Sequence, residues 1–332
     1  MQVAVNAGEK FWEVYNERAR SRLEALGADI GRVPRDHNPS EEEAAALIAG
    51  ADVVMGTWGT APFSAAVLSA APDLKLVIYG AGSVKGFVTP ELVERGVTVL
   101  SAAHINAIPV AEFVLGVILV SLKGVLKLSA KLRSDGPRAW KRDEHVAPGY
   151  YGTTVGLLGL GKVSRHLLRL LGNFDFNVLV EDPYLTMEEA DRLGVRKSTL
   201  EEVMAESDVI SLHHANVPIN WGMINGEALA RMKPGATLIN TSRGRLVDED
   251  ALVDALQTRD ITAYLDVTHP EPPEANHAFY TLPNCILTPH VAGSYAAEVE
   301  RMGAWAVEQL DRALAGESLD GVVDLSRLDS IA

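Results

Sequence analysis

Three residues whose types could carry proton and anion chemistry stand at the ends of three strand-like runs. Arg243 follows "ATLINTS" and precedes a glycine, Glu271 lies in "LDVTHPEP", and His290 follows "CILTP". Imidazole is the side chain whose charge changes near neutrality, and a guanidinium presents a planar fork of donors that matches a carboxylate. A carboxylate and an imidazole with such a guanidinium make an acid–base dyad plus an anion clamp. Each alone has a plain alternative: a surface arginine in a loop, a solvated glutamate before Pro272, a structural histidine after Pro289. Their joint placement is what counts. Open α/β sheets bind their ligands at the carboxyl ends of the strands, and all three residues fall there.

Such an edge requires a parallel sheet, and the strand–helix alternation that builds one occurs twice. In the first hundred residues "MQVAV", "ADVVMG", "LKLVIYG" and "VTVLSA" read as strands. Glu9 to Leu26 carries helical spacing through Phe11, Val14, Tyr15, Leu23 and Leu26, Ser40 with Glu43 forms a capping-box pattern, and Thr89-Pro90 opens a further helix. The first turn, "NAGEKF", shows no dinucleotide fingerprint. The second half does. "TTVGLLGLGKVSRHLLRLLG" is a strand, then Gly159-Leu160-Gly161-Lys162-Val163-Ser164, then a helix. Gly159 suits a tight turn, Gly161 lets backbone approach a pyrophosphate, and the amides opening the helix meet its charge. Ser164 takes the third glycine's place, where a small residue suffices for packing. Asp182 ends the strand "FNVLVEDPY", about 20 residues beyond Gly161, as expected of the carboxylate that binds the adenosine ribose. That acid repels a 2′-phosphate, and "DPYLT" has no arginine to accept one, so NAD is expected over NADP. A turn-forming role for Asp182 before Pro183 is the alternative, and Glu181 is the neighbouring candidate. From Asp248 an amphipathic helix follows the Arg243 segment.

Composition narrows the function classes. At 332 residues the chain can hold two domains, and 47% hydrophobic residues fit a globular enzyme. A net charge of −14 leaves no electrostatic footprint for nucleic acid or an anionic membrane surface. The single cysteine, Cys285, cannot form an intrachain disulfide, so a reducing cytoplasm is the simplest compartment; the N-terminus lacks the pattern of a secretory signal. The most apolar run, Ile108 to Leu128, is interrupted by Glu112, Lys123 and Lys127 and reads as a buried or dimer-forming helix rather than a membrane span. His213 and His214 are adjacent strand residues facing opposite sides, which argues against a shared metal, and no metal is expected. Trp58 in "MGTWGT" has two readings, a wall of a substrate pocket or a loop anchor.

With "GLLGLGKVS", "EDPY", "SDVISLHHA", "MKPGATLINTSRGRLVDEDAL", "LDVTHPEP" and "TPHVAG", nearly the whole chain resembles the D-isomer-specific 2-hydroxyacid dehydrogenase family. The resemblance implies two doubly wound α/β domains. A Rossmann NAD domain, residues 104–294, is inserted into a flavodoxin-like substrate domain formed by 1–103 and 295–332, and a homodimer joins through the NAD domains. It implies that Arg243 binds substrate, that Glu271 pairs with His290, and that His290 is the catalytic acid–base. It further implies cofactor contacts at Gly159, Gly161, Lys162, Val163, Asp182, His213, Thr241, Asp266 and Gly293, with Asp266 toward the nicotinamide.

The chemistry suits a small 2-oxo or 2-hydroxy acid. Arg243 can hold its carboxylate in bidentate fashion and polarise the carbonyl, while His290 supplies the proton as hydride arrives at the second carbon. Glu271, accepting from the other ring nitrogen, would fix the tautomer. Two departures stand out. "YGAGSVKGFV" corresponds to the family's glycine-rich carboxylate-binding loop, with Ser83 and Lys85 where glycine and aspartate are usual; amides near Gly82, Ser83 and Val84, with Trp58, remain the expected substrate contacts. Ala215 stands where the family has proline. Formate dehydrogenase relatives carry glutamine at the Glu271 position. A phosphite dehydrogenase-like enzyme and an NAD-sensing corepressor-like binding protein remain as alternatives.

Overall fold

The computed structural model describes residues 1–140 and 147–330; positions 141–146 and 331–332, which fall inside the expected domain spans, lie outside the described residues. In chain order the elements are β1 (Val3–Asn6), α1 (Phe11–Val14), α2 (Glu17–Ala25), α3 (Glu41–Ile48), β2 (Val53–Gly56), α4 (Ala65–Ala70), β3 (Leu76–Tyr79), α5 (Pro90–Glu94), β4 (Thr98–Ser101), α6 (Ala103–Leu122) and α7 (Val125–Asp135). There follow β5 (Thr154–Leu158), α8 (Lys162–Leu171), β6 (Asn177–Glu181), α9 (Met187–Leu193), β7 (Arg196–Lys197), α10 (Leu200–Glu206) and β8 (Val209–Leu212). The last are α11 (Gly226–Arg231), β9 (Thr237–Asn240), α12 (Glu249–Thr258), β10 (Thr262–Leu265), β11 (Cys285–Leu287) and α13 (Val299–Ala315). They divide into two compact units, one of Met1–Ala107 with Ser294–Asp329 and one built on Ile108–Gly293.

The first unit holds a four-stranded parallel sheet in the order β1-β2-β3-β4. Helices cover both faces, so its strands are continuous apolar runs rather than alternating ones. Val3, Val5, Val53, Met55, Ile78 and Leu100 pack against α1, α2 and α13; Ala4, Val54, Val77 and Val99 face α3, α4 and α5. The capping signals act as written. Ser40 and Glu43 close a reciprocal capping box, and Thr89 caps α5 with Pro90 in its first turn.

The continuous helix expected over Glu9 to Leu26 is instead two helices. Tyr15 is extended and fully buried, and its hydroxyl donates to the Gly56 carbonyl at 2.9 Å. Burying that ring breaks the helical path, and Asn16 starts α2 by accepting the Ala19 amide.

The second unit holds seven parallel strands in the order β11-β10-β9-β8-β5-β6-β7. From β5 the chain winds outward to β6 and β7, then returns past β5 to β8 and continues to β11. That reversal opens a crevice between β5 and β8, the place where doubly wound sheets bind ligands. Leu158, Ile210, Leu238 and Leu265 form one core with α10, α11 and α12; Val155, Leu157, Val180 and Ile239 form the other with α6 and α8. α6 is long and apolar enough to cross a membrane by length and composition, but Ala111, Val114, Ile118 and Leu122 are buried in that second core. It ends at Leu122, and left-handed Gly124 separates it from α7. In the edge strand β11, burial first and the Glu249 charge second push the Cys285 thiol up to about 12.

One close approach ties the chain's two ends together in the first unit. A Cβ at Gly303, in the middle of α13, would collide with the Val14 carbonyl at the end of α1. Gly303→Ala should therefore lower unfolding stability by roughly 1–3 kcal/mol, the usual cost of overpacking. A urea midpoint equal to that of the unaltered protein would contradict this packing.

Candidate active site

The glycine loop begins with a backbone that only glycine adopts readily. Gly159 has φ of +96°, and a Cβ there would meet the His213 carbonyl carbon and the His214 nitrogen at 2.9 Å. A Cβ at Gly161 would meet nothing within 4 Å, which leaves an open approach to the first turn of α8, where no side chain caps the amides. Lys162 is exposed and Val163 half-buried at that turn. Ser164 does more than stay small, since its buried hydroxyl donates to the Gly159 carbonyl at 2.6 Å.

Asp182, one residue past β6, is fixed against this loop. One carboxylate oxygen accepts the Leu160 amide at 2.7 Å and the other the Tyr184 amide at 2.8 Å. Both the turn geometry and the contact with the glycine loop are thus present in one side chain. Glu181 faces a different partner, lying 2.5 Å from His214 Nε2.

His213 is half-buried with its Nε2 sealed from solvent, and burial first, with His214 second, pushes its imidazole down to about 3, so it is neutral at physiological pH. Its Nε2 and the hydroxyl of Thr241 are buried without a hydrogen-bond partner among the described residues. Buried polar atoms are ordinarily paired, so these two, at the carboxyl ends of β8 and β9, fit a bound polar group there. Open glycine backbone, uncapped amides, a fixed acid at the ribose position and these two atoms all suit a dinucleotide. His213 and His214 point into different surroundings, and among the described residues no group of three or more His, Cys, Asp or Glu could hold a metal.

The three chemistry-bearing residues follow β9, β10 and β11, which are neighbours in the sheet. After β9, the buried Asn240 side chain brackets the turn: its oxygen accepts the Ser242 amide at 3.0 Å and its amide donates to the Arg243 carbonyl at 2.9 Å. The Arg243 guanidinium donates to the Ser242 carbonyl at 2.6 Å. Burial lowers its pKa from the ordinary value, and the charge of Glu271 opposes that shift. After β10, the Thr268 hydroxyl donates to the Pro270 carbonyl and the His269 amide to Glu249, shaping the segment that carries Glu271. After β11 comes His290, a non-glycine residue at φ of +55°. His290 Nδ1 lies 2.6 Å from Glu271 Oε1. The structure therefore brings Glu271 and His290 into direct contact, with Arg243 near enough to feel the glutamate's charge.

Asp266, just past β10, has a buried carboxylate that accepts the Thr288 hydroxyl, the Val291 amide and the Ala292 amide. Gly293 is half-buried at the end of that loop. Neither this arrangement nor the Glu181–His214 pair carries a sequence signal of its own. Each joins residues more than 20 positions apart, on loops brought together only by the sheet.

Trp58 and the Gly82–Val84 loop belong to the first unit. Trp58 is partly buried and packs against both of that unit's cores. Val84 is buried, whereas Ser83 and Lys85 on either side of it are exposed. The Ser101 hydroxyl holds the loop by donating to the carbonyls of Ala81 and Gly82. Asn106 is a residue the sequence did not single out. Its amide group lies beside Gly82, and its oxygen accepts the Ser294 amide at 2.8 Å.

A cavity of about 510 Å³ lined by Trp221, Arg245, Glu249, His269 and His277 borders the same loops, but none of Arg243, Glu271 and His290 lines it.

Comparison with known proteins identifies the family. The profile of the "D-isomer specific 2-hydroxyacid dehydrogenase, NAD binding domain" matches residues 115–292, more than half of the chain. D-3-phosphoglycerate dehydrogenase of Mycobacterium tuberculosis is 32% identical over 313 residues, which cover 94% of this chain and 58% of the relative. The chain thus spans somewhat more than half the length of such curated relatives. Among solved structures, the TT0316 protein of Thermus thermophilus is 30% identical with a TM-score of 0.76, covering 97% of this chain and 100% of that one. A phosphoglycerate oxidoreductase from Rhizobium etli is 25% identical with a TM-score of 0.81, covering 97% and 98%. The chain belongs to the D-isomer specific 2-hydroxyacid dehydrogenase family, and its second unit carries that family's NAD-binding domain.

Proposed function

We propose that this protein interconverts a small D-2-hydroxy acid and its 2-oxo acid with NAD as the redox partner. The observation that carries this reading is the 2.6 Å contact between His290 and Glu271, on the sheet edge that also presents Arg243 and the glycine loop. When bound, NAD would supply the hydride acceptor and NADH the donor. Gly159, Gly161, Lys162, Val163, Asp182, His213, Thr241 and Gly293 would hold it. Arg243 clamps the substrate carboxylate, and its charge stabilises negative charge developing on the carbonyl oxygen. His290 delivers a proton to that oxygen during reduction and removes it during oxidation. Glu271 accepts a hydrogen bond from Nδ1–H, which fixes the tautomer and leaves Nε2 for the substrate.

The substrate class is open to a direct assay. NADH oxidation should proceed with one or more of glyoxylate, hydroxypyruvate, pyruvate and 3-phosphohydroxypyruvate, the last suggested by the names of the curated relatives. No turnover with any 2-oxo acid, together with turnover of phosphite or of none, would overturn the reading.

A second copy of the chain is proposed as the protein partner. α7 has no buried residue, and Val125 and Leu126 at its start are exposed apolar side chains beside the apolar α6. Sedimentation should give a dimer that Val125→Glu with Leu126→Glu weakens; a monomeric unaltered protein would refute it.

NADH should bind more tightly than NADPH, because the fixed Asp182 carboxylate opposes a 2′-phosphate. Asp182→Ala should weaken NADH binding by roughly tenfold, the worth of one charge-assisted hydrogen bond, and narrow the discrimination. Tighter NADPH binding by the unaltered protein would reverse the assignment.

The three catalytic residues should fail in different ways. Arg243→Ala should raise KM and lower kcat together. His290→Asn should lower turnover in both directions by about 10²–10⁴-fold, as for a lost general acid. Glu271→Ala removes the acceptor that fixes the His290 ring, so kcat should fall by about tenfold in both directions, the worth of one hydrogen bond to a charged group, while KM stays within about twofold. An unchanged kcat would detach Glu271 from His290.

A further inference from the structure

We infer that Asp266 is a positioning residue, whose buried carboxylate fixes the loop carrying His290. The inference rests on the role of His290 proposed above and concerns what holds that residue. Asp266 is 3% exposed. Its Oδ1 accepts the Thr288 hydroxyl at 2.6 Å and the Val291 amide at 2.8 Å, and its Oδ2 accepts the Ala292 amide at 2.9 Å. Its backbone carbonyl accepts the His290 amide at 3.0 Å. Four donors from Thr288, His290, Val291 and Ala292 thus converge on one residue. No cation pairs with the carboxylate among the described residues, so loop dipoles compensate the buried charge.

A buried anion met in this way dictates the shape of its donors. Only an acceptor-only group can take three side-chain bonds at once, and any rearrangement of the loop would strand a charge in the core. The dictated shape is unusual, because His290 sits at φ of +55°, in a region that side-chain-bearing residues seldom occupy. Released from Asp266, residues 288–292 would relax toward ordinary backbone and carry the imidazole away from Glu271. The last bond of the clamp, at Ala292, lies one residue before Gly293, where the chain leaves this unit. His290 is accordingly fastened to the end of β10 and not to the departing chain. The family resemblance implies instead that Asp266 contacts the nicotinamide, and the two roles make different demands on cofactor affinity.

Thr288→Val separates them, since it removes one donor and leaves the carboxylate in place. Asp266→Asn is the stronger variant, because its new N–H₂ must face an N–H or O–H donor. Four readouts apply: the melting temperature, NADH affinity by fluorescence titration without second substrate, amide exchange of the 288–294 segment, and kcat and KM for the 2-oxo acid. For Thr288→Val we expect exchange faster by about tenfold, from loss of one hydrogen bond. kcat should fall by about tenfold, while NADH affinity and KM stay within about twofold. Asp266→Asn should extend the same pattern further. Parallel losses of NADH affinity and kcat with unchanged exchange would show a cofactor contact and overturn the proposal. Faster exchange with unchanged kcat would also overturn it. If the unaltered protein reduces no 2-oxo acid, the proposed function falls. The clamp would then be judged by exchange and by the rate at which diethyl pyrocarbonate modifies His290, expected to change in Thr288→Val; no change in either would refute it.

Discussion

A parallel sheet imposes one constraint that shapes everything else in the second unit. Each strand must be followed by a crossover that returns the chain to the opposite end, so every loop leaving a strand emerges at the same edge. Seven strands therefore deliver their carboxyl ends to one place. The loop after β5 presents glycine backbone and helix amides, the end of β6 presents carboxylates, and the ends of β9, β10 and β11 present a guanidinium, a carboxylate and an imidazole. Residues as far apart in sequence as Gly159 and His213 become neighbours without any local sequence code linking them. The reversal of winding at β5 leaves a crevice between β5 and β8 open at that edge, because the helices on either side diverge there.

What the sequence revealed follows from this division between local codes and sheet-made contacts. The turn at Gly159, the capping box at Ser40, the proline-led helix at Pro90 and the cap at Asp248 are short-range codes, and each appears in the structure. Residue type was enough to nominate Arg243, Glu271 and His290, because the edge on which they would lie could be deduced from the strand pattern. Their contacts could not be deduced. The apolar spacing from Glu9 to Leu26 suggested one helix, and the burial of Tyr15 against Gly56, a tertiary demand, broke it. The same holds for Glu181 with His214 and for the donors that gather on Asp266.

The groups on the edge also divide by exposure, and the division suits their chemistry. Asp266 is buried with its carboxylate met by loop donors, and His213 is half-buried with burial around its ring keeping the imidazole neutral. Arg243 is intermediate, and its desolvation strengthens any anion it holds. Glu271 and His290 are the exposed members, with nearly half of each side chain open to water. Burial thus goes with the groups that hold geometry, and exposure with the pair proposed to exchange protons.

The state of Cys285 has a consequence for how the protein can be observed. It is the chain's single cysteine, and with its thiol pushed up to about 12 by burial, the thiolate is scarce at neutral pH. Reagents that need the thiolate will hardly touch the folded chain. Cys285 lies in β11, the edge strand that runs directly into Thr288 and His290. Peeling of that strand from β10 would relieve the burial that raises the thiol, so alkylation should speed up as the segment that carries the imidazole opens. The chain contains its own single-site probe of local unfolding, placed three residues before Thr288, with no competing thiol to obscure the signal.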